Sequence, residues 1–183
     1  DQHWSKLKAI LVNFGIYLKH NLRLFLEAIL YRIRTGCPWR DLPEEFGKPN
    51  SIFKKFNRWC KEDKLLKVFK LLSIHADLEW IFIDASHVKA HQHATGIKNQ
   101  SISRSIGGNS SKIHLAVDAN GNPIEFIIGD GTTHDVKVAP TLIDSLDLKE
   151  TEILCADKGY DSEPIREKIE NTLTKANIPK KRN

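Results

Sequence analysis

Apolar residues recur at helical spacing through the first third of the chain. Between Asn21 and Thr35 they stand three or four positions apart, as on one face of an α-helix, at Leu22, Phe25, Leu26, Ile29, Leu30 and Ile33. Gly36 follows at once and predicts the C-cap of this helix, because glycine readily adopts the left-handed conformation that ends helices. The segment 37–43, with Pro38 and Pro43, predicts a rigid connector.

Two further helices are predicted after this connector. Ser51 predicts an N-cap, because serine side chains accept hydrogen bonds from the first free backbone amides of a helix. The buried stripe of that helix would consist of Ile52, Phe56, Trp59 and Cys60. A third apolar helix follows from about Leu65 to His75. We therefore predict an all-helical domain over residues 1–78.

The hydrophobic period changes at Glu79. Residues 80–84 form a short, almost wholly apolar run that ends in Asp84, which is typical of a buried strand. A polar segment rich in Gly, Ser and Asn follows from 96 to 111 and predicts a long loop. Two strand-like runs, 113–117 and 124–128, then flank an Asn-Gly pair at Asn120 and Gly121, which predicts a β-hairpin.

The rest of the chain alternates between helix and strand. The pattern predicts helices over 135–146 and 162–173, a strand over 152–156 that leads into Asp157, and a short strand near Ala176. Mixed elements of this kind form a sheet with an antiparallel edge on a parallel centre, flanked by helices. The predicted fold class is therefore α/β (α+β overall), with the helical domain followed by a mixed-sheet domain over 79–183.

Charge is unevenly divided between these two parts. Residues 1–79 hold 15 Lys and Arg against 9 Asp and Glu, whereas residues 80–183 hold 13 against 14. No apolar run is long enough to span a bilayer, so no membrane partner is expected. Three widely separated cysteines favour reduced thiols in a cytoplasmic protein over a disulfide framework. Because the sequence contains no methionine and starts in the run-up to a helix, we expect it to be part of a longer protein.

The basic charge of the first part has a candidate surface on the second predicted helix. The face opposite its apolar stripe holds Lys54, Lys55, Arg58 and Lys61. A helix, a turn and a basic helix are compatible with a helix-turn-helix whose second helix reads double-stranded DNA. A helical bundle with a solvated basic face explains the same residues, and both interpretations remain open at this point.

Two carboxylates are predicted to meet at one edge of the sheet. Asp84 and Asp157 each follow a short buried strand, and the ends of parallel neighbouring strands lie about 5 Å apart. Ionised carboxylates at that distance repel unless a cation lies between them, and hard divalent ions prefer oxygen ligands. A turn-forming or helix-capping role explains either aspartate alone, so this alternative also stays open.

Four segments together resemble one protein family. They are residues 28–43, AILYRIRTGCPWRDLP; residues 84–93, DASHVKAHQH; residues 103–114, SRSIGGNSSKIH; and residues 156–162, ADKGYDS. In order and spacing they resemble insertion-sequence transposases of the DDE class, from about Leu22 to the last residue.

This resemblance implies a ribonuclease-H-like catalytic domain in which Asp84 and Asp157 are the first two acids of an Asp-Asp-Glu triad. They would hold two Mg²⁺ ions, or Mn²⁺, for cleavage of phosphodiesters at transposon ends and their joining to target DNA. The resemblance also implies binding to terminal inverted repeats and association of several copies on DNA. No residue of this chain matches the third acid, since the family's glutamate follows the fifth strand. We therefore expect an incomplete catalytic domain that is inactive alone.

Several residues leave alternatives open. Lys89, Lys98, Arg104 and Lys112 are candidates for contacts to DNA phosphates, although a solvated loop explains them nearly as well. His87, His91 and His93 suggest a zinc site, but no cysteine completes the set, so a basic loop facing DNA is favoured. Asp135 is predicted to be a helix N-cap rather than a ligand. Non-enzymatic DNA binding, with the truncated protein acting as a repressor, is the main alternative function, and a different ribonuclease-H-like nuclease is disfavoured.

Overall fold

The computed structural model describes residues 2–13, 15–16, 21–73, 76–90, 101–105 and 107–181. The chain divides into two compact units, Asp1–Leu72 and Ser73–Asn183. No helix among the described residues combines the length and the apolar character needed to cross a membrane.

The first unit is helical. Its helices are α1 (Gln2–Asn13), α2 (Leu22–Thr35), α3 (Pro49–Lys61) and α4 (Lys64–Leu72). Gly36 ends α2 in the left-handed conformation, with φ 69°, as predicted. The connector from α2 to α3 contains two short 3₁₀ turns, Trp39–Asp41 and Glu44–Phe46. The connector between Thr35 and Pro49 is longer than the three- or four-residue turn typical of a helix-turn-helix.

The core of this unit forms around aromatic and branched side chains of α2 and α3. Phe25 packs edge-on against Trp59, with ring centroids 5.1 Å apart, and Leu22, Leu26, Ile29 and Ile52 are buried in the same cluster. Leu30 and Ile33 are 62% and 70% exposed, so their predicted place in the buried stripe of α2 is wrong. Both lie in the second half of α2, where helical periodicity alone does not tell which turns are covered by another element.

The start and one edge of α3 also differ from the prediction. The helix begins at Pro49, with Lys48 at the N-cap position, so Ser51 lies inside the first turn and is not the cap. Proline fits the first turn of a helix because its missing N–H would have no intrahelical acceptor there. Cys60 is exposed rather than buried, which narrows the apolar stripe of α3 to Ile52, Phe56 and Trp59.

The second unit is built on a six-stranded sheet. Its strands are β1 (Trp80–Lys89), β2 (Ser103–Ser105), β3 (Gly108–Val117), β4 (Pro123–Asp130), β5 (Ile153–Ala156) and β6 (Lys175–Asn177). The strand order is β2-β3-β1-β5-β6, with β4 also paired to β3. Strands β1, β5 and β6 are parallel, whereas β3 is antiparallel to β1, β2 and β4. A parallel centre with an antiparallel meander beside it is the topology expected of a ribonuclease-H-like domain.

Two helices form the core of this unit against one face of the sheet. They are α5 (Asp135–Asp144) and α6 (Glu163–Glu170). Ile165 and Ile169 of α6 join Ile81 and Ile83 of β1 in a single buried cluster. Because side chains alternate across a strand, Trp80 and Phe82 belong to the opposite face, where they are 38% and 40% exposed. The helices thus fix which face of β1 is buried.

The hairpin between β3 and β4 is present as predicted, and a buried carboxylate holds it. Asp118 is 1% exposed. It accepts hydrogen bonds from the backbone N–H groups of Asn120 (2.9 Å) and Asn122 (2.7 Å) and from the Asn122 side chain (3.0 Å). A further bond comes from the N–H of Asp77 (3.2 Å), just before β1. Asp118 therefore ties the hairpin turn to the start of the central strand.

Two predicted boundaries in this unit are wrong. The first strand does not end at Asp84 but continues to Lys89, because its outer half pairs with β3 alone. The predicted loop over 96–111 contains β2 and the first residues of β3, paired in register Ser103↔Ser110 to Ser105↔Gly108. Residues 91–100 lie outside the described part of the chain, and with them His91, His93 and Lys98.

Candidate active site

Asp84 and Asp157 occupy equivalent positions on neighbouring parallel strands. The β1–β5 pairing runs from Trp80↔Ile153 to Ile83↔Ala156, and each aspartate is the next residue of its own chain segment. Adjacent strands lie about 4.8 Å apart. The two carboxylates that were far apart in sequence are therefore neighbours at the carboxyl end of the parallel pair, which is where α/β sheets place ligands.

The surroundings of this carboxylate pair fit a bound cation. Asp84 and Asp157 are both exposed. Among the described residues, neither forms an ion pair with a basic side chain. Two ionised carboxylates side by side leave a local negative charge that a hard divalent ion would neutralise. Among the described residues, no cluster of three or more potential metal-ligating side chains is found.

A tight turn after β5 orients Asp157. Oδ1 of Asp157 accepts a hydrogen bond from the N–H of Gly159 (2.8 Å), and its carbonyl accepts from the N–H of Tyr160 (3.1 Å). A side chain at position 159 would collide with this arrangement, because a Cβ there would lie 2.8 Å from Oδ1 of Asp157. With any side chain at position 159, the Asp157 carboxylate would therefore have to shift from this orientation.

Tyr160 anchors this turn in the core. Its side chain is 2% exposed, and its hydroxyl lies 3.5 Å from Nδ1 of the fully buried His114. Burial raises the pKa of Tyr160 far above its usual range, and the negative charges of Asp135, Asp84 and Asp157 raise it further. Burial also lowers the pKa of His114, despite the opposing effect of Asp135. Tyr160 and His114 are therefore both uncharged near pH 7. Together they form a buried, neutral contact that supports the turn carrying Asp157.

A basic cleft opens beside Asp157. Its lining consists of Asp157, Lys158, Gly159, Lys180 and Lys181, around a volume of about 600 Å³. Arg166 holds the segment that leads to Lys180. It donates hydrogen bonds to the Asp161 carboxylate (2.7 Å) and to the carbonyl of Ile178 (2.6 Å). The backbone N–H of Lys181 donates to the same Asp161 (2.7 Å).

Sequence analysis did not single out these three lysines. Lys158 lies within one of the family-like segments, and Lys180 and Lys181 stand in a short basic run. Neither feature shows that the three residues meet, because they meet only through the parallel pairing of β5 with β6.

The predicted DNA-binding residues of α3 fall into two groups. Lys54, Arg58 and Lys61 are exposed at positions i, i+4 and i+7, so they lie along one face of the helix. Lys55 points elsewhere, since its Nζ lies 4.2 Å from the centroid of the Phe25 ring and 5.8 Å from that of Trp59. Three of the four predicted basic residues thus lie on an exposed face of α3.

The predicted phosphate-contacting residues of the second unit are also divided. Lys89 and Arg104 are exposed. They lie opposite the adjacent residues Ser110 and Asn109 of β3. Lys112 is 12% exposed and its Nζ lies 2.6 Å from Oδ1 of Asp135, in an ion pair. Asp135 is the first residue of α5, and the N-cap position belongs to His134, so the prediction of Asp135 as the N-cap is wrong.

Residues 76–183, more than half of the chain, match the family described as "Transposase DDE domain". The chain belongs to this family. Residues 1–69 match a second family, described as "Putative transposase of IS4/5 family". The resemblance found in the sequence is thereby confirmed for both units. DDE transposase domains depend on divalent metal ions in general, in agreement with the exposed carboxylate pair.

Individual proteins with sequence or structural similarity are also found. An uncharacterized protein, y4sN, of Sinorhizobium fredii (strain NBRC 101917 / NGR234) is 38% identical over 123 residues, covering 65% of this DDE-family chain and 94% of that protein. A piggyBac transposase synaptic complex with hairpin DNA is 16% identical with a TM-score of 0.40, over 63% of this chain and 26% of that one. A Mos1 transposase paired-end complex is 12% identical with a TM-score of 0.36, over 83% and 57% of the two chains. The chain therefore spans about a quarter of the piggyBac transposase chain and somewhat over half of the Mos1 transposase chain.

Proposed function

We propose that this chain belongs to a DNA transposase that binds the terminal inverted repeats of its element, cleaves phosphodiesters at the element's ends and joins them to target DNA. The observation that supports this most directly is the carboxylate pair, Asp84 and Asp157, at matched positions of β1 and β5. Membership of the DDE family supports metal-dependent phosphodiester chemistry at that pair. Mg²⁺ is the proposed cofactor, with Mn²⁺ as a substitute.

Asp84 and Asp157 would hold the metal. When bound, two divalent ions supply Lewis-acid stabilisation of the attacking and leaving oxygens of a phosphodiester. Residues of the chain itself would orient the Asp157 carboxylate and bind the DNA. The backbone N–H of Gly159 keeps the Asp157 carboxylate oriented. Lys158, Lys180 and Lys181 would bind DNA backbone phosphates in the adjacent cleft, where three ammonium groups offset phosphate charge.

The first unit is the proposed site of sequence-specific DNA binding. Lys54, Arg58 and Lys61 present one basic edge of α3, and cationic helix faces of this kind contact DNA phosphates. Transposition joins two element ends, so we propose that several copies assemble on DNA. We accordingly propose a DNA-binding domain over residues 1–78 and a catalytic domain over residues 79–183.

Binding of Mn²⁺ is the appropriate first test, because only two acids of the family triad have a match in this chain. Glu163, Glu167 and Glu170 do not replace the third, since α6 packs against the face of β1 opposite to Asp84. For the same reason we propose that the chain alone has little nuclease activity. Paramagnetic resonance of free Mn²⁺ measures the affinity directly.

We expect Asp84→Asn and Asp157→Asn each to lose Mn²⁺ binding. Asp147→Asn is the matched control, because Asp147 has an exposed side chain away from the parallel strand ends. Retention of wild-type affinity by Asp84→Asn would show that the carboxylate pair is not the metal site.

A non-enzymatic role as a DNA-binding repressor is the second candidate. The basic edge of α3 lies in the first unit, whereas Asp84 lies in the second. DNA binding by the first unit would therefore not need the carboxylate pair, which supports this candidate. A protein of this kind would occupy terminal repeats without cleaving them. Gel-shift assays with terminal-repeat DNA should then show full binding by Asp84→Ala. Mg²⁺-dependent nicking that disappears in Asp84→Ala would instead identify an enzyme.

A further inference from the structure

Asp135 approaches Asp157 across the space beside Gly159. A Cβ built on Gly159 would lie 2.8 Å from Oδ1 of Asp157 and 3.2 Å from Oδ2 of Asp135. Both carboxylates thus reach into the same small volume, although their residues come from the start of α5 and the end of β5. We propose that Asp135 and Lys112 set the charge beside Asp157, with Asp135 favouring and Lys112 opposing the binding of a divalent cation there. This inference rests on the proposed metal site.

Lys112 gives Asp135 its fixed position. Its Nζ lies 2.6 Å from Oδ1 of Asp135, and the two side chains are only 12% and 21% exposed. Ion pairs that are largely shielded from water are screened less by salt than exposed pairs. Two ionised carboxylates in close approach would otherwise repel one another. The ammonium of Lys112 offsets this repulsion and lets Asp135 stay beside Asp157.

The same pair is connected to the turn that carries Asp157. Nδ1 of His114 lies 3.6 Å from Oδ1 of Asp135 and 3.5 Å from the hydroxyl of Tyr160. The N–H of Tyr160 in turn donates to the carbonyl of Asp157. Strand β3, helix α5 and the turn after β5 therefore meet in one packed group.

The charges of Asp135 and Lys112 predict opposite effects on the affinity for a divalent cation, which packing alone does not. Removal of the Asp135 charge leaves the Lys112 ammonium unbalanced near Asp157, which should weaken binding of a divalent cation. Removal of the Lys112 charge leaves an additional carboxylate charge, which should strengthen it. By Coulomb's law, a divalent ion about 8 Å from a unit charge in water gains or loses roughly sixfold in affinity. If the ion pair were only a structural brace, both substitutions would loosen the turn and both would weaken binding.

The test is Mn²⁺ titration of the 183-residue chain followed by paramagnetic resonance, with thermal unfolding of each variant as a check on folding. We expect Asp135→Asn to bind Mn²⁺ about sixfold more weakly and Lys112→Met about sixfold more tightly. The double variant should lie close to wild type, because both charges are removed together. Lys112→Arg keeps the charge and should also bind like wild type. If Lys112→Met does not fold, Lys112→Gln carries the same charge test.

Two results would overturn the inference: weaker binding in both single variants, or no change in either. Asp84→Asn separates these results from failure of the proposed function. If Asp84→Asn abolishes Mn²⁺ binding while Asp135→Asn and Lys112→Met match wild type, the metal site stands and only the proposed charge effect of Asp135 and Lys112 fails. If Asp84→Asn binds Mn²⁺ like wild type, the proposed metal site itself is wrong.

Discussion

Asp118→Ala should destabilise the second unit strongly, because one buried carboxylate accepts four hydrogen bonds. The donors are the backbone N–H groups of Asp77, Asn120 and Asn122 and the side-chain amide of Asn122. Each hydrogen bond to a charged group contributes about 1.5–3 kcal/mol. Water can replace the lost acceptor for donors near the turn, so we expect a total loss of about 3 kcal/mol in the free energy of unfolding.

The effect should depend on pH. Burial alone would raise the pKa of Asp118, but the hydrogen bonds from Asn122, Asp77 and Asn120 outweigh it and lower the pKa below its ordinary value. A lowered pKa in the folded state means that the stabilisation is complete above the unfolded-state pKa, about 3.9. It is lost as the pH falls through the folded-state pKa. The difference between wild type and Asp118→Ala should therefore be largest at pH 7 and should shrink at pH 3.

Urea denaturation at both pH values measures this difference, and amide hydrogen exchange in β3 and β4 assigns it to the second unit. Asp147→Ala is the matched control, because the Asp147 side chain is 66% exposed and surface substitutions of this kind change stability by no more than about 0.5 kcal/mol. A difference between wild type and Asp118→Ala that stays the same at pH 7 and pH 3 would refute the role of the ionised carboxylate. A loss as small as that of the control would refute the estimate from the four hydrogen bonds.

Three further predictions test the fold and the two proposed sites. Gly131→Ala should cost about 2–3 kcal/mol in urea denaturation, because a Cβ there would lie 2.7 Å from a backbone oxygen of β3. Lys54→Ala with Arg58→Ala should reduce the slope of log affinity against log salt by about 2 in gel-shift assays; Lys55→Ala, whose side chain covers an aromatic ring, should leave the slope unchanged. Gly159→Ala should abolish Mn²⁺ binding while circular dichroism stays that of wild type, and unchanged Mn²⁺ affinity would contradict the close packing of the turn.

Features set by neighbouring residues could be predicted from the sequence. The β3–β4 hairpin follows from Asn120 and Gly121 between two strand-like runs, and Gly36 ends α2 because it adopts positive φ without strain. Apart from β2, which lies in the predicted loop, the order of helices and strands in the second unit also follows from local periodicity. These features need no information about which distant segments pack together.

Features set by distant contacts could not be predicted in the same way. Periodicity places Leu30 and Ile33 on the apolar face of α2, but which turns of that face are covered depends on the tertiary packing of the first unit. The extension of β1 past Asp84 depends on pairing with β3. The ion pair of Lys112 with Asp135 joins residues of β3 and α5. From the local pattern, Lys112 is a candidate for contact with a DNA phosphate and Asp135 is predicted to be a helix N-cap.

The side of the sheet on which Asp84 lies follows from the core rather than from the carboxylate itself. Ile81 and Ile83 are 0% and 3% exposed against the helices, and the two-residue period of a strand then places Asp84 on the opposite face with Phe82. A one-residue shift in the register of β1 would bury Asp84 beneath α5 and α6, where an unpaired carboxylate costs several kcal/mol. The same apolar contacts that stabilise the second unit therefore also keep Asp84 exposed at the strand end beside Asp157.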